Sequence, residues 1–106
     1  MSNRYRRYEM LLPLRLNDGG PTPDEAIGLT LRELRQQFGA VSYETQTIHG
    51  QWEHGGQVYS DELIRVFVDV PDTRESRAFF VAFKDLVKSR FKQIDIWMTT
   101  YAVEVL

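Results

Sequence analysis

IHGQWEHGGQVYSDELIRVFVDV, residues 48–70, is the stretch on which the fold turns. Its Gly55-Gly56 pair accepts positive φ at both central positions of a two-residue turn, and strand-like runs flank it on each side. If the pair reverses the chain, His54 lies opposite Gln57. Counting back then sets Trp52 against Tyr59, Gly50 against Asp61 and His49 against Glu62, and puts Ile48 on the side of Leu63. An aromatic pair and a charge-complementary pair follow from one turn, which favours a hairpin. A bulge at Gly50 would shift the register by one beyond it. Past the turn, Ile64, Val66, Val68 and Val70 share one face of the strand and Leu63, Arg65, Phe67 and Asp69 the other.

Strand and helix signals continue outward from this hairpin in both directions. Residues 41–53 and 57–70 read as its two strands. Upstream, residues 5–14 place Tyr8, Met10, Leu12 and Leu14 on one face of an extended strand, with Pro13 expected to break or bulge the pairing. The sequence NDGGPTP that follows is turn chemistry. TPDE then opens a helix, with Thr22 as the cap, Pro23 first in the helix and Glu25 closing a capping box; Ile27, Leu31, Leu34 and Phe38 form its apolar stripe and Gly39 its stop. Downstream, DTRE repeats the device with Asp72 as cap and Glu75 as closure, ahead of Phe80, Phe83, Val87 and Phe91 in a helix over 73–91. A last strand in QIDIWMTTYAVEVL turns Ile94, Ile96 and Met98 inward and Asp95, Trp97, Thr99 and Tyr101 outward.

The element order is therefore β-α-β-β-α-β, which predicts an α+β ferredoxin-like sandwich: an antiparallel sheet with two helices on one face. A chain of 106 residues suits a single domain, 1–106. Three stretches, YEMLLPLRLNDG, DELIRVFVDV and IWMTTYAVEVL, together resemble small bacterial proteins of similar length that carry no assigned function. That resemblance implies a compact α+β domain and assigns no catalytic residue.

Composition removes several classes of chemistry. The chain has no cysteine, so disulfides, thiolate nucleophiles and cysteine-ligated metals are excluded. The opening residues lack a signal-peptide pattern and no run approaches about 18 apolar residues, so a cytoplasmic protein with no membrane span is expected. A net charge of −2 gives no general attraction to a phosphate backbone. No nucleic-acid partner is expected.

With both helices on one face, the other face of the sheet would expose Leu11, Ile48, Leu63, Phe67, Trp97 and Tyr101, with Arg65 among them. A monomer rarely leaves so much apolar surface bare. These residues are the candidate ligand or interface set, and the expected function is a small oligomeric binding or interaction module of unidentified ligand. A small-molecule cleft between protomers is compatible with it, with His49 or Glu44 among the polar handles, and a small enzyme with its pocket on that face is the alternative. Single-stranded RNA stacking on the aromatics is disfavoured by Glu9, Asp69 and Asp95, which repel phosphates.

His49 with Glu62 forms a candidate polar pair able to do acid-base work near neutral pH. Ser60 lies close by in the pairing, without an oxyanion hole or nucleophile elbow. No metal site is expected, because His49 and His54 are five apart in an extended strand and point to opposite faces. Nothing calls for a cofactor. Arg4, Arg6 and Arg7 interleaved with Tyr5 and Tyr8 read as a solvated strand start. Lys84, Lys88, Arg90 and Lys92 suit the C-terminal end of the second helix, where cations meet its dipole.

Overall fold

The longest strand, β4 (Gln57–Pro71), is paired on both edges. Leu63 is the crossing point, with β3 (Ile48–His54) on one side and β1 (Arg4–Pro13) on the other. A short β2 (Ser42–Tyr43) continues the β3 edge opposite Phe67 and Val66, and β5 (Met98–Glu104) lies along the far side of β1. In the computed structural model, which describes residues 4–16, 18 and 20–106, these strands form one antiparallel sheet in the order β2-β4-β1-β5, with β3 beside β4. Two helices, α1 (Asp24–Phe38) and α2 (Arg74–Arg90), supply the other layer, which makes the fold ferredoxin-like. Asn17 and Gly19, in the loop expected after the first strand, lie outside the described residues.

The inward parity read from the sequence forms the core. Tyr8, Met10 and Leu12 of β1 and Ile64, Val66, Val68 and Val70 of β4 are buried together with Leu34, Phe80, Phe83, Val87, Phe91 and Ile96. Tyr8 stacks on Phe80 with ring centres 4.0 Å apart, and Phe38 stacks on the same ring at 5.3 Å. The helix stripe thus meets the sheet through aromatic layers, each fully buried ring contributing on the order of 2–3 kcal/mol. Gly39 closes α1 at φ 85°, the left-handed geometry its position called for.

The hairpin has the register its turn dictates, from His54 opposite Gln57 through Gly50 opposite Asp61 to Ile48 opposite Leu63, without a bulge at Gly50. Gly55 and Gly56 sit at φ 60° and 78°, a type I′ combination that a side chain would strain. Trp52 and Tyr59 stack across the strands at 4.8 Å. Because β1 ends opposite Leu63 and its last rung is the Leu14 N–H to the Glu62 carbonyl at 2.8 Å, the hairpin tip continues alone as a two-stranded arm. The molecule is accordingly elongated, 49 × 29 × 25 Å.

Four local expectations are corrected. Thr22 does not cap α1: its hydroxyl donates to the Pro13 carbonyl at 2.8 Å, tying the returning chain to the end of β1, and Pro23 occupies the cap position without a side-chain bond. For α2 the cap is Thr73, not Asp72. Thr73 is the extended residue at φ −128° whose hydroxyl accepts from the Ser76 N–H, while Asp72 faces Arg6 at 3.4 Å. The run 41–53 is two strands. Ser42 pairs with Phe67 and Ile48 with Leu63, so six steps (48 − 42) answer four on β4 (67 − 63), and two extra residues break the ladder. Ile94 is 42% exposed, because β5 starts only at Met98 and strand alternation does not reach back to it.

Candidate functional site

The sheet face away from the helices divides into two regions. Its centre is an ionic lattice. Arg7 makes a two-pronged pair with Asp69 at 2.7 and 2.9 Å, and Arg65 bonds Glu9 from β1 and Glu44 from just beyond β2. The Tyr101 hydroxyl donates to Glu9 at 2.7 Å. Phe67 lies between the two guanidinium groups, 4.5 Å from Arg7 and 4.4 Å from Arg65. The expectation of a bare apolar face is corrected for Phe67, which is half-buried under charge, while Trp97 and Tyr101 remain exposed, the latter with its hydroxyl engaged.

Hydrogen bonds to the charged form dominate the titration of this lattice. The Arg65 guanidinium holds the Glu9 carboxyl below its ordinary value, with Tyr101 adding to the effect, and Arg7 does the same for Asp69. Both arginines are raised further into the charged range by these carboxylates. Such groups are fixed structural charges at neutral pH rather than proton-transfer catalysts.

The second region is a cleft of about 510 Å³ where β1 leaves the sheet. Leu11, Pro13 and Leu63, all of the outward parity, form its apolar floor. Residues 50–53 and Asp61 of the arm bound one side; Gln93, Asp95, Ile96 and Trp97 bound the other. Leu11 donates its N–H to the Trp97 carbonyl at 3.0 Å, which fixes the approach to β5 beside the cleft. Trp97 remains 67% exposed. Across from it the Trp52 indole N–H donates to Asp61 at 2.6 Å. The chain has two tryptophans, and both line this cleft.

Of the residues singled out in the sequence, Leu11, Leu63 and Trp97 come together in the cleft, whereas Arg65, Phe67 and Tyr101 belong to the lattice. Ile48 is half-buried beside Leu63, outside the cleft lining. Trp52 and Asp61 were not among the candidate residues. The hairpin register carried the signal, because it gives Trp52 and Asp61 the parity of Leu63. His49 and Glu62 line a separate, more polar cavity of about 640 Å³ with Arg15 and Ser60. There the Glu62 carboxylate accepts from Arg15 at 3.1 Å. Among the described residues no three histidine, aspartate or glutamate side chains gather as a metal set.

The geometry defines a ferredoxin-like α+β protein with an aromatic cleft on the open side of its sheet. No protein-family model and no curated protein matches the sequence. Solved structures do match the fold. A phage SAM lyase in complex with S-methyl-5′-thioadenosine superposes with a TM-score of 0.67 at 12% identity, over 99% of this chain and 92% of that one. The divalent cation tolerance protein Cut A1 from Thermus thermophilus gives 0.58 at 14% identity, over 95% and 84%. GlnK of B. subtilis in complex with ATP gives 0.56 at 14% identity, over 97% and 84%. At these identities the likeness shows the shared fold. No helix among the described residues is long and apolar enough to cross a membrane.

Proposed function

We propose that the protein is a small, self-associating cytoplasmic binding module whose small-molecule ligand occupies the Trp52–Trp97 cleft on the open face of the sheet. The observation that carries this reading is the make-up of the cleft: an apolar floor of Leu11, Pro13 and Leu63 flanked by both indoles of the chain. Concave apolar sites with a few polar groups are where small molecules bind, and indole rings take flat π surfaces in offset stacks. The ligand is therefore a planar heteroaromatic compound. The phage SAM lyase and GlnK complexes, which hold S-methyl-5′-thioadenosine and ATP, support that class for this fold. Self-association is supported by the exposure of Trp97 and Tyr101, 67% and 43%, on a face that no helix covers.

Calorimetric titration with S-methyl-5′-thioadenosine tests the reading. A saturable single-site isotherm that weakens about tenfold in Trp97→Ala, as loss of one ring stack implies, is expected. Absence of saturable heat with this nucleoside would count against it.

A further inference from the structure

We infer that the cleft selects a planar aromatic cation over its neutral and anionic counterparts, an inference that rests on the binding role proposed above. Three acidic residues line it, Glu53, Asp61 and Asp95, and among the described residues no lysine, arginine or histidine does; the hairpin register gives Asp61 the parity of Trp52 and Leu63, and Glu53 the opposite one. Asp95 is partly answered from outside the lining, where Lys84 reaches its Oδ1 at 3.2 Å and the Ile96 N–H donates to the same oxygen at 2.9 Å. With Asp95 answered by that lysine, Asp61 is the carboxylate that shares the face of the cleft floor, beside an indole.

Asp61 is held by a neutral partner, the Trp52 indole N–H at 2.6 Å, which fixes a carboxylate next to an aromatic ring. A cation stacked on that indole would face both the ring's negative π face and the adjacent carboxylate. A phosphate in the same place would meet the like charge of Asp61. The contrast with the centre of the same face is direct, because there Glu9, Glu44 and Asp69 are each matched by Arg65 or Arg7. In the cleft, by contrast, Asp61 has a neutral indole as its partner, so a ligand can supply the opposite charge.

The test uses three flat tricyclic probes of nearly equal size: 10-methylacridinium, acridine, and acridine-9-carboxylate, which are cationic, neutral and anionic at pH 7.5. Equilibrium dialysis at low salt should show the cation held about tenfold more tightly than acridine, with the carboxylate weakest. Added salt should narrow the gap, because half-exposed charges are screened. The double variant Glu53→Gln/Asp61→Asn keeps side-chain shape and the acceptor for the Trp52 N–H, and in it the ratio of cation to acridine affinity should fall to about one. Acridine bound as tightly as the cation, or a preference that survives the double variant, overturns the inference while leaving the cleft as a binding site. Retention of none of the three probes overturns both.

Discussion

Replacing Arg65 with methionine removes the charge at the centre of the lattice while keeping an apolar stem of similar length. Arg65 and Glu9 side chains are only 25% and 18% exposed, so their bond is better shielded than a surface pair and its loss should cost roughly 1.5–3 kcal/mol. The contact over Phe67 adds about 0.5–1 kcal/mol. The bond to Glu44, whose side chain is half exposed, adds at most about 0.5 kcal/mol. Arg65→Met should therefore destabilise the fold by about 3 kcal/mol, a drop of roughly 12 °C in Tm for a chain of this size.

The pH dependence of that loss follows from the same bond. Arg65 depresses the Glu9 carboxyl, so its stabilisation is fully present above the carboxyl's ordinary, unfolded value and is lost as pH falls through the lower folded one. The difference between wild type and Arg65→Met should accordingly shrink between pH 7 and about pH 3. Urea unfolding at both pH values, run as a double-mutant cycle with Glu9→Gln, measures the coupling directly. A difference under about 0.5 kcal/mol that does not change with pH would refute the lattice as a built feature of the open face.

Two further outcomes follow from the geometry. Thr73→Ala should cost about 1 kcal/mol in thermal or urea unfolding through loss of the α2 cap, whereas Asp72→Ala, which removes only an exposed partner of Arg6, should stay within about 0.5 kcal/mol. Light scattering at micromolar concentration should find wild type as a dimer or larger, and Trp97→Glu as a folded monomer. Trp97 is exposed, so the new charge spares the core and falls on the cleft and the interface; a wild type that stays monomeric at high concentration would remove self-association from the proposal.

The layers of the fold were legible because two simple periodicities govern them. Alternation along β1 and β4 told inward from outward residues, and Gly55-Gly56 fixed the whole hairpin register. The helix caps were misplaced by one residue each. Thr22 and Asp72 have capping chemistry, but Thr22 is claimed by the Pro13 carbonyl and Asp72 lies opposite Arg6, partners that only the folded chain brings near.

The lattice was illegible for a related reason. Phe67 looks uncovered in a parity count, yet Arg7 and Arg65 close over it through pairs with residues 21 to 62 positions away. The cleft was half visible. Leu63 and Trp97 came from strand parity and the hairpin register gave Trp52 and Asp61 the same face, but the placing of the arm beside the approach to β5 is a tertiary relation with no local signature.

The side-chain N–H signals of the two tryptophans report most directly on ligand in the cleft, since Trp52 and Trp97 both line it. In a titration of the isotopically labelled protein with S-methyl-5′-thioadenosine, both indole resonances should move saturably with one common dissociation constant. The Trp52 signal, hydrogen-bonded to Asp61, should also shift on Asp61→Asn without ligand. Two indole signals that stay fixed while resonances elsewhere move would contradict the assignment of the cleft as the ligand site.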